Sequence, residues 1–288
     1  MTYEIRWLGA SLLTAAVLAL ATSSDAAITC TSVTSPGFSA AFTGTVPPTN
    51  VTPSSVTVTC NRNLAGDPLS LNYLVAANTG LNAAGNQNRA ALGANRLQYD
   101  LYRDAACSLQ WRGGGNRLSN TMTFGNNFLP VSQTTNWWGC IVTSQALPAG
   151  TYTDTVTMTL SVGGLTNTFP VSIYTPATCT IATAPGTLTF NYVALGAAQT
   201  ASTSFQPNCT SLLAYSMSLS ATVAVAAGLN YTLALNTTNS GGTATLASTG
   251  TGVAQTFYIN GSMAGGQAGT CLGGTCTANN THTLTITY

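Results

Sequence analysis

Past its first residues the chain alternates apolar and polar positions in short runs and does not repeat them at a helical spacing. Residues 55–60, 69–75, 97–102, 137–143 and 153–162 alternate or are rich in β-branched and aromatic side chains, with Gly, Asn and Pro clusters between them. A period of two predicts strands with one buried face. The same texture returns at residues 212–225, 229–235, 255–259 and 281–288. Many short strands without helices predict an all-β fold of antiparallel, immunoglobulin-like β-sandwiches.

The pattern is written twice. Cys30 and Cys60 are separated as Cys179 and Cys209 are, Leu97-x-Tyr99-x-Leu101 is echoed by Leu229-x-Tyr231-x-Leu233, and TDTVTMTL at 153–160 by THTLTITY at 281–288. After the first echo Gly163-Gly164 supply a turn, glycine accepting the positive φ that tight hairpins need. The returning segment 166–174 then sets Phe169, Val171 and Ile173 on one face, opposite Val156, Met158 and Leu160. After the second echo no returning segment is written. Leu284, Ile286 and Tyr288 are therefore expected to line a groove for a strand from another chain, because an unpaired edge beside an apolar face invites strand addition. Pro176, in the linker Tyr174-Thr175-Pro176-Ala177, cannot continue a central strand. It places a boundary between a first domain, 27–175, and a second, 176–288, that lacks its last strand.

Residues 1–26 carry Arg6, an apolar stretch from Leu8 to Ala21 and small residues at Ser24-Asp25-Ala26, the pattern of a secretory signal peptide. The apolar run is too short to span a bilayer comfortably. Export favours disulfides over metal or redox chemistry for the eight cysteines. The expected pairs are Cys30–Cys60, Cys107–Cys140, Cys179–Cys209 and Cys271–Cys276, the first and third supported by the repeat. Only Ala27, Ile28 and Thr29 precede Cys30 in the exported chain. Such a chain is expected to accept a strand and to have none to give, which suits the end of a polymer.

All seven cationic side chains are arginine, and residues 175–288 contain no Asp, Glu, Lys or Arg. Such a surface offers nothing to phosphates, which argues against nucleic acid as a partner. Thr, Ser, Asn and Gly hydrate the sheet faces instead, as suits a subunit packed in a polymer. His282 is the sole histidine and no carboxylate accompanies it in its half of the chain, so a triad or a histidine metal site would lack partners. Asp100 and Asp104, with Arg103 and Arg112, form the densest charge cluster and are expected to make solvated ion pairs. No enzyme motif, metal site or cofactor is implied.

Leu147-Pro148-Ala149-Gly150-Thr151-Tyr152-Thr153-Asp154-Thr155-Val156-Thr157, together with Leu97-Gln98-Tyr99-Asp100-Leu101-Tyr102 and Trp111, resembles the spore coat protein U-like domain. That resemblance implies incomplete immunoglobulin-like subunits of archaic chaperone-usher pili. A periplasmic pilus chaperone lends the missing strand, and during assembly at an outer-membrane usher the N-terminal donor strand of the adjacent pilin replaces it. It also implies a two-domain subunit at the pilus tip, an N-terminal adhesin on a C-terminal pilin. The second copy departs from the pattern where Cys271-Leu-Gly-Gly-Thr-Cys276 replaces Pro148-Ala149-Gly150-Thr151-Tyr152, and where His282 replaces Asp154.

Adhesion is then expected at the pole of the first domain away from the linker, near the Gly163-Gly164 turn, with residues 61–68 and 107–136 as candidate loops. Tip adhesins of this kind bind through apolar finger-like loops, for which Phe124, Phe128, Leu129, Pro130 and Val131 are the best match; exposed apolar residues would mark a contact site. Trp137 and Trp138 are further candidates, although consecutive aromatics in a strand send one ring inside. Leu81 and Leu92 lie in residues 76–96, within a stretch longer than its counterpart in the second copy, where a loop on a rigid scaffold can carry function. The expected function is surface attachment and biofilm formation at the tip of a fimbrium on the cell surface, on an abiotic or host surface. The alternatives are a structural coat or matrix protein and a lectin stacking sugars on Trp111, Trp137 or Trp138.

Overall fold

The computed structural model describes residues 28–43, 51–270 and 277–288. The expected signal peptide and the Cys271–Cys276 pair lie outside the described residues. Regular structure among them is entirely β. The first copy contains β1 (Thr29–Thr34), β2 (Phe38–Ala41), β3 (Val51–Asn61), β4 (Ser70–Ala77), β5 (Asn88–Leu92), β6 (Asn95–Tyr102), β7 (Leu118–Thr123), β8 (Val131–Ile141), β9 (Gly150–Leu160) and β10 (Thr166–Thr175). The second contains β11 (Cys179–Thr183), β12 (Gln199–Cys209), β13 (Ala214–Leu219), β14 (Val223–Ala226), β15 (Leu229–Asn236), β16 (Thr245–Thr249), β17 (Phe257–Met263) and β18 (Leu284–Thr287).

In the first copy β1-β3-β8-β6-β5 form one layer, and β7-β4-β9-β10-β2 form the other. The layers meet at one edge through the single pairing of Ala91 with Thr153. Gly163 and Gly164 both adopt positive φ in the turn that sends β10 back along β9, over the full register from Thr166–Thr159 to Thr175–Gly150. On its other side β10 pairs in parallel with β2, from Val171–Phe38 to Tyr174–Ala41. The closing strand is thus an inner strand.

Its inward side chains enter an aromatic core. Phe169 stacks on Trp111 at 5.9 Å and lies 5.1 Å from Trp137, while Trp111 and Trp137 are 5.2 Å apart. Trp111 donates its indole N–H to the Val75 carbonyl at 2.8 Å, satisfying its one polar atom. Val156, Met158, Leu160, Val171 and Ile173 are buried around this cluster. Disulfides Cys30–Cys60, Cys107–Cys140 and Cys179–Cys209 are formed. Each staple of this kind contributes about 2–4 kcal/mol.

The second copy has a separate core built on Phe205, Tyr215, Met217, Leu235 and Phe257. Its layers are the five-stranded β11-β12-β17-β15-β14 and the three-stranded β16-β13-β18. The single strand expected over residues 212–225 is two, β13 and β14, interrupted around Ser220. The long β12 lies where no strand is expected, because its outward face is the polar series Thr200, Ser202, Ser204, Gln206 and Asn208 and only Phe205, Pro207 and Cys209 are buried.

The charge cluster is not solvated as its spacing suggests. Arg112 donates to Asp100 at 2.6 Å, both side chains are mostly buried, and Gln87 adds a bond at 3.2 Å. Burial raises the Asp100 carboxyl above its usual range even against the pull of Arg112. Asp104 instead closes a surface turn, accepting from the Ser108 hydroxyl at 2.7 Å and the Leu109 N–H at 2.7 Å, and these bonds hold its carboxyl below the usual range.

Candidate functional site

Several pairings recur in the two copies, and that correspondence defines the first site. Leu101 of β6 faces Gly139 of β8, as Leu233 of β15 faces Gly261 of β17. A Cβ at Gly139 would sit 2.8 Å from the Phe38 ring, and one at Gly261 2.6 Å from the Phe190 ring. Each phenylalanine packs on the equivalent tyrosine, Phe38 on Tyr99 at 5.6 Å and Phe190 on Tyr231 at 5.8 Å. Phe190 is therefore the counterpart of Phe38, and residues 190–193 are the counterpart of β2. Leu188, Phe190 and Tyr192 alternate inward onto the second core as a strand would.

In the first copy β10 fills the space between β9 and β2. Among the described residues β18, the counterpart of β9, pairs with β13 alone, and residues 190–193 belong to no sheet. The burial of the inward row changes accordingly. Val156, Met158 and Leu160 are fully buried, whereas Leu284 and Ile286 are half-buried and Tyr288 is 59% exposed. The sequence-predicted row Leu284, Ile286, Tyr288 is thus less covered than its counterpart in the first copy, where β10 lies beside β9.

The polar group at the start of this inward row also differs between the copies. Asp154, opposite Val171 of β10, is a buried carboxylate that accepts from the Tyr99 hydroxyl at 2.7 Å, the Leu81 N–H at 2.9 Å and Asn82 Nδ2 at 3.2 Å. Burial first, and then the Asp154 charge, push the Tyr99 phenol far above its ordinary range, so it remains a donor. In the second copy His282 Nε2 and the Tyr231 hydroxyl make the equivalent bond at 2.7 Å, and Asn280 Nδ2 donates to the same hydroxyl at 2.8 Å. The long segment between β4 and β6 supplies the extra donors to Asp154, which gives a structural reason for its length. Asp154→Ala would leave the buried Tyr99 hydroxyl without its acceptor, while the Leu81 and Asn82 donors are part-buried and reach water. It should cost the first copy about 1–3 kcal/mol, the penalty for one buried polar group left without a partner, measured by denaturant unfolding.

The second site is the end of the first copy where β3 finishes, β4 begins, β7 finishes and β8 begins. Cys60 faces Val131 and Ser70 faces Thr123, so residues 62–69 and 124–130 share this pole with the Gly163-Gly164 turn. The link to the second copy leaves from the opposite end, where Thr175 faces Gly150. Arg62 is only 3% exposed and ties the two loops together. Its guanidinium donates to the carbonyls of Ala65 and Asp67 at 2.8 Å and, across to the other loop, to Gly125 at 3.1 Å. Buried Asp67 accepts from the N–H groups of Asn63 and Leu64 at 2.7 and 2.9 Å. Phe128 lies over the Arg62 guanidinium with 5.5 Å to its ring centre. Leu64, Leu69, Phe128, Leu129 and Pro130 remain exposed there, Leu129 at 61%.

Of the adhesion candidates, Phe128, Leu129 and Pro130 stand on this pole with open side chains. Phe124 and Trp137 are buried in the core and Val131 packs against it, so none of these three offers a contact face. Trp138 is half-buried. Leu92 packs on the core near Gly150 at the linker end, and exposed Leu81 lies beside Asp154, so neither joins the pole. Residues 107–117 are not at the pole either, because Cys107 is tied to Cys140 near the linker end of β8. The burial of Trp111 and Trp137 leaves two of the three tryptophans of a lectin reading without access to sugar. Sequence reasoning named 61–68 as a candidate loop without singling out Arg62 or Leu64, and took Leu69 as the start of a strand, because neither loop composition nor alternation marks a side chain that works through carbonyls of two loops.

The chain is similar in fold to the tip adhesin subunit in a chaperone complex of archaic chaperone-usher Csu pili from Acinetobacter baumannii. The identity is 12%, with 90% of this chain and 100% of that chain covered and a TM-score of 0.45. It is also similar to the CupB6 tip adhesin from Pseudomonas aeruginosa, at 13% identity, with 90% and 95% covered and a TM-score of 0.44. The CooA pilin subunit of enterotoxigenic Escherichia coli aligns at 13% identity over 49% of this chain and 90% of its own, with a TM-score of 0.29. No curated protein matches the chain. The family model of the Spore Coat Protein U domain matches residues 14–159, half of the chain and most of the first copy, and the protein belongs to that family.

Proposed function

We propose that this chain is the tip subunit of a surface pilus, an adhesin joined to a pilin and dividing near residues 175 and 176. The observation that carries the reading is that β18 pairs with β13 alone and residues 190–193 with no strand, whereas β10 joins their counterparts β9 and β2 in the first copy; a slot for an incoming strand between them is the reading this supports. Family membership supports it, since the resemblance to spore coat U-like pilus subunits rests on motifs now placed in β6 and β9. A periplasmic chaperone and then the N-terminal segment of a neighbouring pilin would occupy the slot antiparallel to β18 and parallel to residues 190–193, as β10 runs along β9 and β2. Passage through an outer-membrane usher would put the subunit on the cell surface.

Attachment is assigned to the pole carrying Leu64, Leu69, Phe128, Leu129 and Pro130. The charges of Arg62 and Asp67 are turned inward there, so the pole suits an apolar abiotic surface, with biofilm formation as the outcome. Whole pili bearing two sets of substitutions test the two halves of the proposal. Phe128→Ser with Leu129→Ser should leave pilus number unchanged and reduce attachment to polystyrene about tenfold, the loss of about 1.4 kcal/mol of contact. Ile286→Asp should remove the subunit from pili, because a carboxylate in the slot wall faces an incoming apolar strand. Undiminished attachment by the first variant, or normal incorporation of the second, would count against the corresponding half.

A further inference from the structure

We infer that Arg62 is the positioning residue of the apolar pole, holding its two loops in one contact-ready arrangement; the inference rests on the reading of that pole as the contact surface. Arg62 directly follows β3, whose last residues pair with β1 and β8. Its backbone is therefore anchored to the sheet while its side chain reaches into both loops. One terminal nitrogen donates to Leu64, Ala65 and Asp67 carbonyls of the first loop, at 3.4, 2.8 and 2.8 Å. The other donates to the Gly125 carbonyl at 3.1 Å and Asn126 Oδ1 at 3.4 Å in the second.

No carboxylate forms an ion pair with this guanidinium among the described residues. A buried cation must be compensated, and here backbone carbonyls and one side-chain amide do it through charge-assisted bonds. A planar fork can serve two loops at once; a lysine ammonium is a single point and cannot.

The exposed tips follow from the clamp. Leu64, whose carbonyl is one acceptor, is itself half exposed. Phe128 is held at φ 54°, a left-handed conformation that a bulky residue adopts only when its surroundings impose it. Its ring lies over the guanidinium, a cation–π contact that fixes one face and leaves the other outward. Apolar side chains on free loops would lose rotamer freedom when they meet a surface, or would fold onto one another beforehand. Arg62 removes that cost before contact.

The test uses the purified full-length chain and adsorption to polystyrene beads, with amide hydrogen exchange on the same samples. Four proteins are compared: the parent, Phe128→Ser with Leu129→Ser, Arg62→Lys and Arg62→Met. The expected result for Arg62→Met is faster exchange confined to residues 62–69 and 124–130, with β3 and β8 still protected, and adsorption weakened about tenfold although every apolar tip is present. Arg62→Lys should restore only part of that adsorption, because the charge returns without the fork, and it serves as the folded comparison if Arg62→Met loses protection throughout. Adsorption by both Arg62 variants equal to the parent, with the Phe128/Leu129 variant impaired, overturns the positioning role alone. Full adsorption by the Phe128/Leu129 variant overturns the contact surface on which it rests.

Discussion

A peptide with the sequence of β10, Thr166–Thr175, should raise the unfolding temperature of the second copy in the full-length chain by about 10 °C when present at about a hundredfold its dissociation constant. Binding at that excess contributes about 2.7 kcal/mol, and a unit of roughly a hundred residues shifts by about 4 °C or somewhat more per kcal/mol. The sequence of β10 is suitable because the proposed slot would repeat its surroundings. Val171 lies between Asp154 and Phe38, and its equivalent in the second copy would lie between His282 and Phe190; Phe169 faces Val156, where the second copy presents Leu284. Three alternating apolar side chains would bury surface on Leu284, Ile286 and Phe190. Each is worth about 1.5–3 kcal/mol when fully buried, before the cost of ordering the peptide. Scanning calorimetry with the peptide, a scrambled peptide and the Ile286→Asp chain separates the cases. A shift produced equally by the scrambled sequence, or retained in Ile286→Asp, would remove the slot from consideration.

Much of this arrangement was legible because a strand announces itself through its inward residues. β9 carries the series Val-x-Met-x-Leu, β18 and the residue after it Leu-x-Ile-x-Tyr, and β10 Phe-x-Val-x-Ile, so the two copies could be set side by side from the letters alone. The consecutive tryptophans followed the same rule, with Trp137 inside and Trp138 at the rim. What escaped was structure made by partners and not by periodicity. β12 is held between β11 and β17 although its outer face is Thr, Ser, Gln and Asn. β2 is only four residues long and exists through its parallel ladder to β10. The equivalent stretch at 190–193 keeps the inward side chains and, without that ladder, forms no strand. At the pole, an apolar run in a loop pointed to Phe128 and Leu129 but not to Arg62, because a residue that works through carbonyls of two loops leaves no pattern in either.

The converse experiment should open the first copy. Phe169→Ala with Ile173→Ala leaves every strand of both layers in the sequence but withdraws the two largest side chains that β10 sends into the core. Phe169 meets Trp111 and Trp137 in one aromatic cluster, and Ile173 is fully buried opposite Tyr152. Truncations of this kind cost about 3–5 kcal/mol for phenylalanine and about 2–5 kcal/mol for isoleucine, together comparable with the whole stability of an ordinary domain. The first copy should then unfold near ambient temperature, or survive only with its disulfides intact, whereas Thr168→Ala on the outer face of the same strand should change stability by no more than about 0.5 kcal/mol. The decisive measurement is rescue: the parental β10 peptide, added in trans, should restore cooperative melting, since the altered strand holds the slot weakly and the peptide competes for it. A double variant that melts like the parent would mean that β10 is dispensable for closure. The burial difference between Leu160 and Tyr288 would then owe nothing to a missing strand. Rescue by the peptide would instead make the two copies one design in two states, the first closed by its own strand and the second by a strand from outside.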